Sequence, residues 1–196
     1  MSGRIGAAPD RSLHVPLDML VFLDFEASSL SKQSYPIEVG WVFEDGTSEA
    51  HLIRPAPDWT DWDPAAEAIH HIPRIELERE GTPHDAVAQR MIEVLSGHDL
   101  LASAPSWDGK WLSTLLRAAG LPRHSLRLRD SDAALRETAR AGLRGRVAED
   151  RLEEEAANLV ALCEVREAGV APAHRALADA QEERARWLAV RAAAKG

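Results

Sequence analysis

Two acidic residues occupy alternate positions of an apolar segment near the start of the chain. Asp24 and Glu26 lie in and just after the run MLVFLDF at 19–25, which we predict to be a buried β-strand. Side chains two positions apart on a strand project from the same face, so the two carboxylates would lie side by side. Burying two like charges together is costly unless a cation compensates them, which indicates a metal site. The alternative is an exposed edge strand with a solvated acid pair, which the apolar run disfavours.

A third carboxylate, Asp108, follows a second predicted strand. It lies between the strand at 99–103 and a predicted helix at 107–119. Taken alone, this position is typical of an acid in the first helical turn, where a carboxylate stabilises unpaired backbone N–H groups. Asp108 is therefore a candidate metal ligand only in combination with the other acids.

The fourth candidate group is His174 with Asp179, which we place on a terminal helix at 174–194. A separation of five is poor for direct pairing, because neighbours on a helix surface are three or four residues apart. It does put the two side chains about one and a half turns apart, so that the imidazole can lie above a metal bound by Asp179. The alternative is an ordinary amphipathic helix that carries a polar pair.

The elements that must position these residues indicate one α/β domain. Apolar runs predict strands at 19–25, 37–43 and 48–54, and an Asp-Gly turn signal joins the last two as a hairpin. Helices and strands then alternate. We predict strands at 99–103 and, more weakly, at 125–130. We predict helices at 64–70, from 82 to Gly97, and at 107–119, 131–141, 148–168 and 174–194. This order predicts a mixed five-stranded sheet flanked by helices. The domain would span 18–194 and follow a flexible leader at 1–17.

The order of these motifs resembles that of the DEDDh (DnaQ-like) 3′→5′ exonucleases, which include polymerase proofreading subunits and oligoribonuclease. The matching segments are VFLDFEASSL, YPIEVGWV, AIHHI, LLASAPSWDGKWL and HRALADAQ, and together they cover roughly 18–190. The resemblance implies a ribonuclease H-like fold. It also implies a hydrolase that acts at the 3′ ends of single-stranded DNA or RNA and releases nucleoside 5′-monophosphates.

The chemistry of phosphodiester hydrolysis suits the candidate residues. Two divalent ions about 4 Å apart can activate the attacking water and stabilise the departing 3′ oxygen. Mg²⁺ or Mn²⁺ prefers oxygen ligands, which Asp24, Glu26, Asp108 and Asp179 supply. His174 would take the proton from the water, since imidazole titrates near neutrality, and the resemblance implies the same role. We therefore expect these five residues to be catalytic.

Substrate contacts are expected from the segment after the acid pair and from the first helix. The resemblance implies that Ala27, Ser28, Leu30 and His70 contact the terminal nucleotide, with Leu30 wedged against its base. Leu30 as a core leucine and His70 as a structural histidine are the alternatives. Glu38 can either support a metal ligand or serve as a hydrogen-bonding strand residue. The family often has threonine and glycine after the first motif and His-Asn before the second-motif Asp, and both are absent here, which leaves the choice between DNA and RNA open.

Net charge sets a further condition on a nucleic-acid enzyme. The chain has a formal net charge of −9, so phosphates are repelled at long range. Eight arginines nevertheless lie within 117–146. They predict a rim that contacts phosphates, and the alternative is a solvated helix face.

The remaining features exclude several classes of protein. The chain has no run of 18 apolar residues, which predicts no membrane partner, and its start lacks the apolar stretch of a signal peptide. Its one cysteine precludes an intramolecular disulfide. We expect a cytoplasmic enzyme that can form a homodimer. The alternative function is a catalytically silent nuclease-like module that binds nucleic acid or regulates, which the intact five-residue set disfavours.

Overall fold

The first three predicted strands are the centre of a mixed sheet. The computed structural model describes residues 18–163 and 174–196. Strands β1, β2 and β3 pair antiparallel, whereas β5 and β6 run parallel to β1 and β4 runs parallel to β3. The strand order is β4-β3-β2-β1-β5-β6. The bounds are β1 Leu20–Ala27, β2 Pro36–Phe43, β3 Ser48–Arg54, β4 Thr82–Pro83, β5 Asp99–Ala102 and β6 Leu128–Asp130.

Helices cover both faces of this sheet. Their bounds are α1 Pro64–His70, α2 Arg74–Glu80, α3 His84–Leu95, α4 Pro105–Ala118, α5 Ser131–Leu143, α6 Leu152–Cys163 and α7 Ala176–Ala193. One apolar core lies between the sheet and α2, α3 and α4, and the other between the sheet and α5, α6 and α7. Because side chains alternate along β1, Leu23 packs in the first core and Phe22 in the second. The predicted α/β fold, a mixed sheet flanked by helices, is confirmed.

A glycine on β2 determines how closely α7 approaches the sheet. A Cβ at Gly40 would lie 2.3 Å from the backbone nitrogen of Leu177 in the first turn of α7. Any side chain there would push the helix backbone away from the strand. Gly40 is also the cross-strand partner of Asp24. The first turn of α7 is therefore held directly beside the acid pair of β1.

Several elements in the first part of the chain differ from prediction. The sheet has a sixth strand, β4, where we predicted the start of a helix, and α3 begins only at His84. Helix α2 was not predicted. Leu77 is its one buried residue, so it lacks the apolar stripe by which amphipathic helices are recognised. The weak strand predicted at 125–130 is shorter and begins at Leu128.

The C-terminal part also needs correction. The terminal helix begins at Ala176 and not at His174, because His174 has a left-handed φ of 44° and Arg175 is extended. The helix predicted at 148–168 is a 3₁₀ turn at Glu149–Arg151 followed by α6, and 164–168 lie outside the described residues. The expected leader at 1–17 lies outside them as well. Within the described ranges, no helix combines the length and apolarity that a bilayer span requires.

Candidate active site

The acid pair of β1 lies on the face of the sheet that α7 covers. Phe22 packs in the core formed with α5, α6 and α7. Asp24 and Glu26 follow it at intervals of two and so continue the same face. In the register with β2, Asp24 lies opposite Gly40 and Glu26 opposite Glu38. Both acids are half-buried on a central strand, so the alternative of an exposed edge strand is wrong.

Asp179 joins this pair from the first turn of α7. Carboxylate oxygens of Asp24, Glu26 and Asp179 all lie within 4.8 Å of one another. Three oxygen donors at this separation fit a hard divalent cation such as Mg²⁺ or Mn²⁺. The structure thus brings together three of the four carboxylates that were predicted to share metal ions.

The electrostatics of this group are those of like charges held together. Burial and then the charges of Asp108 and Glu26 raise the pKa of Asp24 from 3.8 to about 9. Burial and then Asp179 raise the pKa of Glu26 from 4.5 to about 7. Carboxylates this close cannot all ionise without a compensating charge. A divalent cation would supply that charge, which supports the fit of the donor set to a metal.

Asp108 approaches Asp24 from the other side. It lies in the first turn of α4 with only 1% of its surface exposed, and its Oδ2 has no hydrogen-bond partner among the described residues. Burial raises its pKa from 3.8 to about 7, while backbone amides, that of Phe25 foremost, oppose the rise. Asp108 is the strongest charged neighbour of Asp24, although it is not one of the three carboxylates grouped within 4.8 Å. A buried oxygen without a partner next to this group is consistent with a fourth metal ligand.

A fifth acid, Glu183, was not predicted. It lies on α7 one turn after Asp179, and its charge acts on Asp24. Burial raises the pKa of Glu183, while a hydrogen bond from the Ser131 hydroxyl at 2.9 Å opposes the rise. The i,i+4 spacing from Asp179 was the available signal, because such residues share one face of a helix.

His174 is placed by an ion pair of its neighbour. Arg175 donates from Nη2 to Glu38 Oε1 at 2.5 Å and from Nε to Glu38 Oε2 at 3.0 Å. The backbone N–H of Ala176 also donates to Glu38 Oε2, at 3.0 Å. Glu38 is buried on β2 and lies opposite Glu26. The predicted base is therefore adjacent to a segment that is fixed to the sheet beside the carboxylates.

The loop after β1 presents one exposed apolar side chain. Leu30 is 70% exposed, so its alternative as a core leucine is wrong. The loop beneath it is cross-linked, since the carboxylate of Asp61 accepts hydrogen bonds from three hydroxyls, those of Ser28, Ser29 and Ser31. Lys110 of α4 donates to the carbonyl of Ser31 at 2.5 Å. Leu30 thus extends from a braced loop.

The other predicted substrate contacts are less accessible. Ala27 and Ser28 are buried, and the Ser28 hydroxyl also accepts from the backbone N–H of Tyr35 at 3.2 Å. His70 is buried, and its Nδ1 accepts from the backbone N–H of Ile72 at 3.0 Å. Burial lowers the pKa of His70. Its Nε2 has no partner within the residues that the structure describes.

We expect the stability of the protein without metal to fall as pH rises from about 4 to about 9. The raised pKa values mean that the folded chain binds protons more tightly than the unfolded chain, so rising pH favours unfolding across that window. A loss of about 2 kcal/mol would lower the Tm by roughly 4–8 °C. Melting curves at pH 5 and pH 8 in EDTA measure this fall in Tm. Added Mn²⁺ should raise the Tm more at pH 8 than at pH 5. A Tm in EDTA that rises between these values would contradict the charge cluster.

The comparisons with known proteins concern the fold. No protein-family model and no curated protein matches the chain. Solved structures of exonuclease I do match. The zinc-bound complex of E. coli exonuclease I with single-stranded DNA has a TM-score of 0.62 at 18% identity, covering 87% of this chain and 39% of the other. The complex of E. coli exonuclease I with a dT13 oligonucleotide has a TM-score of 0.61 at 18% identity, covering 86% of this chain and 40% of the other. Exonuclease I from Methylocaldum szegediense has a TM-score of 0.62 at 20% identity, covering 87% of this chain and 40% of the other.

These similarities show that the chain shares the fold of the exonuclease I structures. The resemblance to DnaQ-like exonucleases that the motifs indicated is confirmed at the level of the fold. The chain spans 39–40% of the length of these three structures. The rest of those proteins lies outside the alignment.

Proposed function

We propose that this protein is a divalent-metal-dependent 3′→5′ exonuclease that acts on single-stranded DNA. The observation that carries the proposal is the convergence of Asp24, Glu26 and Asp179 within 4.8 Å, with the buried Asp108 beside them. This cluster occurs in a fold shared with exonuclease I, which has been solved in complex with single-stranded oligonucleotides. A carboxylate cluster of this kind destabilises the fold unless a cation or bound protons compensate its charges, because these repel one another.

The chain's own residues would have separate roles in the reaction. Asp24, Glu26, Asp108 and Asp179 hold two divalent ions, Mg²⁺ or Mn²⁺, which when bound activate water and stabilise the departing 3′ oxygen. His174 takes the proton of the water as its oxygen attacks phosphorus. The bond between that phosphorus and the 3′ oxygen of the preceding nucleotide breaks. A nucleoside 5′-monophosphate leaves, and the shortened strand has a new 3′ hydroxyl.

The terminal nucleotide would lie between the loop of Leu30 and helix α1. Leu30 is the exposed apolar group that can pack against the last base. His70 would lie beneath this pocket, with its buried Nε2 free to donate to the nucleotide only where the covering side chains move aside. Ala27 and Ser28 would shape this pocket through their backbone, because their side chains are buried. RNA ends as a second substrate, a homodimer and a cytoplasmic location are further parts of the proposal.

Digestion of labelled oligonucleotides tests this function directly. We expect a 5′-labelled single-stranded DNA to give a ladder that shortens from its 3′ end with Mg²⁺ or Mn²⁺, and none in EDTA. The product should be mononucleotide. A phosphorothioate at the last linkage is the control and should block the ladder. Internal fragments that appear without a ladder would show an endonuclease, and no cleavage with either metal would contradict the proposal.

A further inference from the structure

A cavity of about 520 Å³ opens beside the helix that carries Asp108. It lies between α4 and the chain segment that leads to β6. Four cationic or titratable side chains line it over an apolar floor, and we call it the basic pocket: Lys110, Arg123, His124 and Arg127, with Leu112 and Leu126 beneath. Its volume is within the range of sites that bind small ligands or parts of larger ones.

The charge of this pocket is opposite to that of the protein. The chain has a formal net charge of −9, yet no acid lines the cavity. Neither Arg123 nor Arg127 forms an ion pair with an acid in the part of the chain that the structure describes. Two arginines held close together without counter-charges repel one another, and a bound anion relieves that repulsion. Lys110, by contrast, already donates to Ser31 and Ser34 and interacts with the charge of Asp61.

Other arginines of the stretch 117–146 already have partners within the protein. Arg129 pairs with Asp99 and Glu137, each at 2.7 Å. Arg140 pairs with Glu153 at 3.2 Å. Arg146 donates to the carbonyl of Ala194 at 2.7 Å. The rim predicted from sequence is thus divided. Arg123 and Arg127 line a cavity and pair with no acid among the described residues, although Arg123 donates from Nε to Nε2 of His124 at 2.9 Å.

The position of the pocket relates it to the candidate active site. Lys110 and Leu112 follow Asp108 by two and four residues on α4. An α-helix rises about 1.5 Å per residue, so they lie only about 3–6 Å further along the helix axis. Leu112 is also on the side of α4 that carries Asp108, so a strand whose 3′ end reaches Asp108 would have a path of about one helical turn to the pocket. The apolar floor suits the sugar carbons between two phosphates.

We propose that the basic pocket binds backbone phosphates of the single strand upstream of the 3′ end that is cut. The inference rests on the proposed function and adds the path of the substrate to it. Arg123 and Arg127 provide charge-assisted hydrogen bonds to phosphate oxygens. Contacts to phosphate oxygens carry no sequence information, so we expect binding there to be independent of sequence.

The double variant Arg123→Ala/Arg127→Ala tests the pocket against a matched control. Arg136→Ala/Arg144→Ala removes the same charge from exposed arginines of the same stretch that do not line the cavity. Affinity is measured by fluorescence anisotropy of 5′-labelled oligo-dT of increasing length, in Ca²⁺, at several salt concentrations. We expect the pocket variant to flatten the slope of log K against log salt by about 1.4, and the control by much less. Its loss of affinity should grow with length until the strand spans the pocket.

The outcomes separate this inference from the function on which it rests. If the wild-type protein binds and digests DNA while both double variants lose affinity and salt dependence to the same extent, the proposal for the basic pocket is wrong. The proposed exonuclease function is then unaffected. If poly-glutamate binds wild type but not the pocket variant, and DNA affinity is unchanged, the pocket is a site for acidic peptides. If wild type neither binds nor digests DNA, both proposals fail. Thermal melts of each variant confirm that the comparison is made between folded proteins.

Discussion

Replacing Asp24 with asparagine should abolish metal-dependent digestion and at the same time stabilise the metal-free protein. Asparagine keeps the shape of the side chain but removes the carboxylate whose pKa the charges of Asp108, Glu26 and Asp179 raise. Metal binding should weaken, and we expect the rate on single-stranded DNA to fall by about 10³-fold or more, about 4 kcal/mol of activation free energy. The Tm in EDTA at pH 8 should rise, because the folded protein must hold Asp24 protonated at a pH where the unfolded chain ionises it, and asparagine removes that cost.

A matched substitution shows whether this effect belongs to the cluster. Asp58 is exposed and takes part in no ion pair among the described residues, so Asp58→Asn should change neither the rate nor the Tm. Rates are measured with both Mg²⁺ and Mn²⁺, since a weakened site can bind one ion better than the other. An Asp24→Asn protein that digests DNA at the wild-type rate would exclude Asp24 as a metal ligand. A lower Tm in EDTA would mean that its charge is paired in the folded state.

The acid pair of β1 could be predicted because its physical argument is local. An i,i+2 pair of carboxylates inside an apolar run defines its own face, whichever elements later cover it. The same holds for β3, whose bounds Ser48–Arg54 agree with the predicted 48–54 because a turn signal marks one end and a proline the other. Local patterns of this kind account for the central strands of the sheet.

What brings Asp179 to that pair could not be predicted, because it depends on contacts between distant parts of the chain. The need for glycine at position 40 exists only once the backbone of α7 lies against β2. Glu38 was left between two roles, since its partner Arg175 is 137 positions away in sequence. The start of α7 at Ala176 follows from the same contact, in which Glu38 accepts the first N–H of the helix.

The segment before α7 gives His174 a specific position relative to the acids. Arg175 and Ala176 are both bonded to Glu38, which lies opposite Glu26 in the sheet. His174 itself has a left-handed backbone that differs from the helix it precedes. The contacts of Arg175 and Ala176 with Glu38 thus fix the backbone directly after His174. We expect the imidazole to turn towards the carboxylates when a 3′ end and metals bind, as is common for catalytic groups.

Removing the imidazole should therefore lower the rate far more than the affinity. We expect His174→Ala to reduce kcat by about 10²–10⁴-fold, the usual contribution of a general base. The Kd for single-stranded DNA in Ca²⁺ should change little, because the proposed role is towards the water and not towards the strand. The pH–rate profile of the variant should lose one ionisation limb. His71→Ala is the matched control, since His71 also has a left-handed φ, of 57°, and is exposed. If His174→Ala keeps the wild-type kcat and the same limb, another group accepts the proton and His174 is structural.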